Sequence, residues 1–192
     1  VSRPGRRAAL RSRRLPGVAA PGATVRHLPG RPRIPAVAVG TEPLKAGPFL
    51  RLVMTTVGTA SAAPGEIDTG RLTAGEARDG SPVGLPVAVI NGAHDGEILY
   101  LQAASDGDEL NGVGVVQRLV PRIDPADLHG TVVVVGVVNY FAFLVAEHRN
   151  PIDDTKLNRA YPGDAEGTTS ERLAAATYGV AGDADYILDL HQ

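Results

Sequence analysis

The sequence predicts an α/β fold, layered around a largely parallel or mixed sheet, and three observations carry that expectation. Short, continuous apolar runs recur at residues 85–90, 131–138 and 185–190. Runs of this length, rich in Val, Ile and Leu, suit strands buried on both faces. Helical or polar, Gly-rich segments separate them, and that alternation builds a sheet covered by helices.

The elements follow in order. Residues 1–53 hold 11 Lys+Arg and one acidic residue, for a charge of +10; residues 54–192 hold 8 and 20, for −12. Two kinds of polypeptide are joined here. The first is rich in Arg, Pro and Gly and reads as a disordered basic tail, because it cannot bury enough apolar surface to offset its ordering entropy. It could be a nucleic-acid tail, a transit peptide or a secretion signal. The favoured reading is upstream sequence translated from a wrong start, since Met54, the only methionine, falls where composition changes. Residues 54–84 form a lead-in, polar and Gly-rich over 68–83, with at most a short strand. Residues 85–90 are a strand, 91–96 a loop, and 97–104 the start of a helix. A polar, Gly-containing interruption covers 106–111. Residues 113–120 resume as helix, 121–130 connect, and 131–138 are the clearest strand. Residues 139–149 are loop or short helix. The long loop 150–167 has the length of a functional segment. Residues 169–178 read as a helix with Thr169 or Ser170 as cap and Glu171 in its first turn. Residues 185–190 are a third buried strand.

Composition excludes several classes. The chain has no cysteine, so disulfides and thiolate metal sites are impossible; a reducing, cytoplasmic setting is expected. No apolar run approaches the roughly 20 residues that span a bilayer. Aromatics make up 4% with no Trp, which argues against a stacking platform for single-stranded nucleic acid. Neither nucleic acid nor membrane is expected as a partner.

The chemistry is expected at His94 and Glu97, directly after the 85–90 run, and at His191, directly after the last strand. Two imidazoles and a carboxylate suit one Zn2+ per chain and leave a fourth position open, as in catalytic zinc sites. Ligands of such sheets bind beyond the carboxyl ends of strands, where this reading places all three. Gly92 and Gly96 are expected to make the turn that brings His94 and Glu97 to one ion. Asp189 shares a strand face with His191 and can orient it. His129 and His148 read as exposed histidines, and His27 is given no role.

Three motifs then stand in order: Gly-x-His-x-Gly-Glu at 92–97, Leu-Asn-Arg-x-Tyr-Pro-Gly at 157–163, and Asp-Leu-His at 189–191. With them the chain resembles the succinylglutamate desuccinylase/aspartoacylase family over roughly residues 85–192. The resemblance implies a three-layer, zinc carboxypeptidase-like sandwich. It implies that His94, Glu97 and His191 ligate zinc, that Asn158 and Arg159 bind a substrate carboxylate, and that Arg149 stabilises the oxyanion. The expected reaction is hydrolysis of an amide or ester in a small N-acyl amino acid. Lys156 departs from the acidic residue that family members often carry before Leu-Asn-Arg. The family's general-base glutamate lies well beyond the third ligand, so residues 85–192 are expected to be a partial catalytic domain, its C-terminal part missing and inactive alone. The alternative is a non-catalytic zinc-binding interaction module.

Overall fold

The structure is a computed structural model that describes residues 53–192, together with the backbone of a strand at Ala23–His27. That strand, β1, falls inside the segment expected to be disordered; the rest of residues 1–52 lies outside the described residues. Eight strands follow in chain order: β1, β2 (Thr55–Val57), β3 (Ala60–Ala62), β4 (Glu66–Glu76), β5 (Pro82–Asn91), β6 (His94–Ala103), β7 (His129–Val135) and β8 (Tyr186–Leu190). The helices are α1 (Leu110–Leu119), α2 (Tyr140–Val145) and α3 (Thr169–Ala181).

The main sheet runs β1-β8-β6-β7-β5-β4, and β2 and β3 form a small hairpin. β6 is parallel to both β7 and β8, whereas the β5–β7, β4–β5 and β1–β8 pairs are antiparallel. The sheet is therefore mixed, with its parallel part at the centre. Side chains alternate between the faces, as the pleat requires. Leu85, Val87, Val89, Tyr100, Val133 and Val135 face one core, which α3 closes with Leu173, Ala174 and Ala181. Ala88, Ile90, Leu101, Val132 and Val134 face the other, which α1 closes with Val113 and Val116. One helical layer on each face makes the three-layer sandwich.

Two expectations are corrected. Residues 97–104 are not a helix: 97–103 belong to β6, with Leu99, Tyr100 and Leu101 paired on both sides against β7 and β8. Glu, Leu, Gln and Ala are good helix formers, but burial between two strands overrides a propensity worth a fraction of a kcal/mol per residue. Residues 68–83 hold most of an eleven-residue edge strand, β4. Its alternation of exposed and half-buried residues reflects an edge with one face on the core.

α3 begins at Thr169, as expected, and runs on to Ala181, but its cap lies one residue earlier than expected. Thr168 is its cap: the Thr168 side chain accepts from the Glu171 N–H, and the Glu171 carboxylate accepts from the Thr168 N–H at 2.8 Å, a capping box. The long loop before it is ordered by Asp153, whose carboxylate accepts from Ser170 N–H (2.6 Å) and Ser170 O–H (2.8 Å). Buried Leu157 anchors the one-turn 3-10 helix Leu157–Arg159.

Candidate metal centre

Because β6 and β8 are adjacent and parallel, with Ala103 level with Leu190, their carboxyl ends deliver side chains to one place. Beyond β6 the chain turns through Ala104, at a left-handed φ of 55°, into Ser105-Asp106-Gly107-Asp108-Glu109 and then α1. The turn is fixed by the segment between β7 and α2: Val138 N–H donates to Ala103 O (3.1 Å), Asn139 N–H to Ala104 O (3.0 Å), and Asn139 Nδ2 to Ser105 O (3.1 Å). A Cβ on Gly107 would lie 2.2 Å from Ala142 C and 2.4 Å from Phe143 N, so only glycine lets this loop pass over α2.

Asp106, Glu109 and His191 converge, each offering one ligand atom, all within 4.8 Å of one another. His191 Nε2 donates to Asp189 Oδ2 at 3.0 Å. With the proton on Nε2, the Nδ1 lone pair faces Glu109 Oε2 (2.8 Å) and Asp106 Oδ2 (3.7 Å). Glu109 Oε2 and Asp106 Oδ1 are buried and make no hydrogen bond. In that tautomer the Nδ1 lone pair and the facing oxygens of Glu109 and Asp106 repel one another, an arrangement that a divalent cation relieves. The residues present therefore fit a metal ion. Without one, a proton on His191 relieves the same repulsion. Burial works against that proton, but the Asp189 and Glu109 carboxylates outweigh it and raise the His191 pKa above the usual value.

Of the residues expected from sequence, His191 alone sits in this cluster. His94 and Glu97 lie near the amino end of β6, and on the strand rise Glu97 is about 20 Å from the His191 end. They cannot share an ion with it. The His94 ring stacks on His129 of the parallel neighbour β7, with centroids 4.5 Å apart. Gly92 and Gly96 make no ligand turn either. A Cβ on them would meet Leu128 O at 2.3 Å and Gly130 N at 2.6 Å, so they let the chain approach residues 128–130.

The second carboxyl-end loop is close by. His148, taken from sequence as a plain exposed histidine, has Nδ1 3.1 Å from Asp108 Oδ1 and Nε2 3.6 Å from Asp106 Oδ1, and Lys156 Nζ also reaches its Nε2. Arg149 follows it directly and donates through Nη1 to Asp154 O at 2.7 Å, half of its side chain remaining exposed. Asn158 and Arg159 are exposed on the 3-10 turn two residues past Lys156.

Comparison with known proteins follows the same lines. The model of the succinylglutamate desuccinylase/aspartoacylase catalytic domain matches residues 95–192. N-alpha-acetyl-L-2,4-diaminobutyric acid deacetylase from Halomonas elongata is 33% identical over 108 residues, which are 56% of this chain and 31% of that protein. A crystal structure of an aspartoacylase family protein from Mesorhizobium loti superposes with a TM-score of 0.60 at 32% identity, covering 65% of this chain and 40% of the other. A succinylglutamate desuccinylase/aspartoacylase from Rhodobacter sphaeroides gives 0.62 at 28%, covering 66% and 39%. The product-bound ectoine utilization protein from Ruegeria pomeroyi gives 0.51 at 28%, covering 57% and 34%. The chain thus spans between about a third and two-fifths of the length of these relatives.

Proposed function

This chain belongs to the succinylglutamate desuccinylase/aspartoacylase family, and from that premise we propose that it carries the metal-binding part of a hydrolase that cleaves the amide or ester bond of a small, carboxylate-bearing N-acyl amino acid. The observation that carries this reading is the convergence of Asp106, Glu109 and His191 at the carboxyl edge of the sheet. These three residues would hold a divalent ion, zinc by the family resemblance, which when bound would supply a water of lowered pKa and a Lewis acid for a carbonyl. Asp106 and Glu109 supply two negative charges that balance a dication. Asp189 holds the His191 ring so that Nδ1 faces the centre.

Arg149 stands at the rim, next to the histidine that contacts Asp106 and Asp108; its half-exposed guanidinium, held through Nη1 by Asp154, is the candidate to stabilise a developing oxyanion. Asn158 and Arg159 are the candidates for the substrate carboxylate, since a planar guanidinium can meet it with two parallel hydrogen bonds. Lys156 adds a third cation to this rim. A cytoplasmic setting accompanies the reading, a chain without cysteine being compatible with a reducing compartment.

The test is metal content by elemental analysis after loading and desalting, beside His191→Ala. One ion per chain, lost in the variant, is the expected result. A folded chain that takes up no divalent ion overturns the proposal. Binding of N-acetylated amino acids by the loaded chain, weakened in Arg159→Ala, favours a hydrolase site over a non-catalytic metal module.

A further inference from the structure

Among the described residues, the donor set that converges here holds two carboxylates and one imidazole; the next imidazole, His148, lies outside that set, with its Nε2 3.6 Å from Asp106 Oδ1 and also met by Lys156 Nζ. Asp106 is 4% exposed, its Oδ1 has no hydrogen-bond partner, and its Oδ2 faces His191 Nδ1. It is therefore a built, desolvated oxygen donor and not a surface carboxylate that happens to be near. Carboxylate oxygens suit harder ions such as Mn2+, whereas imidazole nitrogen suits zinc and the later first-row metals. Each exchange of nitrogen for oxygen removes part of the advantage that zinc holds over manganese in the usual affinity order.

We infer that Asp106 sets the metal preference of this centre, making it one that takes a hard first-row dication, Mn2+ in the first instance, in competition with zinc. The inference rests on the metal-centre reading above and narrows it. The charge supports it: with His191 neutral, Asp106 and Glu109 neutralise a dication, so selectivity falls to the donor atoms.

The experiment titrates the metal-free full chain with Mn2+, followed by the electron paramagnetic resonance of the free ion, and with Zn2+, followed by competition with a chromophoric chelator. The readout is the ratio of the two dissociation constants in the parent chain and in Asp106→His. The ratio is expected to move toward zinc by about tenfold in the variant. An unchanged ratio in a variant with the parent's circular dichroism overturns the inference while leaving the metal centre standing. Should Asp106→His not fold, His191→Asp is measured instead; the ratio must then move toward manganese, and a constant ratio overturns the inference equally. A folded parent that binds neither ion overturns the metal-centre reading itself.

Discussion

His191 meets a carboxylate at each ring nitrogen, Asp189 at Nε2 and Glu109 at Nδ1, and these two contacts have different consequences. The Asp189 bond orients the ring, and the Glu109 contact lies on the side where the proposed ion would sit. Removing the orienting partner leaves the ligand present but free to turn, and such losses reduce metal affinity by about 10–100-fold. Asp189→Asn is therefore expected to weaken metal binding by that factor in chelator competition, while the stoichiometry at saturation stays at one. His94→Ala and Glu97→Ala should leave affinity unchanged, because both side chains sit at the opposite end of β6. If either abolished metal uptake, the centre would have to be moved to the His94–His129 stack.

At the scale of elements, the centre depends on one loop passing between β6 and α1. Gly107→Ala places a Cβ against the backbone of α2 at 2.2 Å. Relief requires the loop or α2 to shift, and overpacking of this kind costs about 1–3 kcal/mol. The expected outcome is a lower thermal midpoint together with weakened metal binding. Thr168→Ala breaks the capping box of α3, whose residues are not in the ligand cluster, and should cost about 1 kcal/mol with metal affinity retained. Equal effects of the two on metal affinity would show that loop geometry is not what holds the ligands.

The same elements explain what could be read from sequence. β5, β7 and β8 are apolar runs long enough to be strands and too short to be helices, and α3 shows its start in sequence, whereas α1 begins at Leu110, three residues before the expected helix, because its first turn reads as polar loop. β6 was hidden, because helix-forming residues compose a strand that only its two neighbours stabilise. Asp106 was hidden behind it: a search for imidazoles favours His94-x-x-Glu97, whereas Asp106-x-x-Glu109 has the same spacing and lies between a strand and a helix. Which pair meets His191 is decided by the adjacency of β6 and β8. No local pattern encodes that adjacency. The Leu157–Gly163 and Asp189–His191 motifs were legible because their meaning is carried by a few contiguous residues.

At the scale of the molecule, the sheet ends on β1 at one side and on β4 at the other. β1 comes from the basic segment and pairs with β8 along its whole length, from Ala23 opposite Leu190 to His27 opposite Tyr186. It thereby covers the edge of the strand that delivers His191. A chain beginning at Met54 lacks β1 and exposes the β8 backbone, and unpaired edges of this kind template association. The reading of residues 1–53 as dispensable predicts that such a chain behaves as the parent does. The register predicts otherwise: the truncated chain should associate on size exclusion and bind metal more weakly. β8 would then be held at one edge alone, by β6, and His191 by its side-chain contacts to Asp189 and Glu109 beside the tie from Asn111 N–H to Gln192 Oε1 (3.0 Å). A mixed result also discriminates. Association with undiminished metal affinity would mean that β1 guards the edge without supporting the ligand. A monomer with parental affinity would mean that the pairing contributes nothing and that the abrupt change of charge at Met54 marks a true boundary.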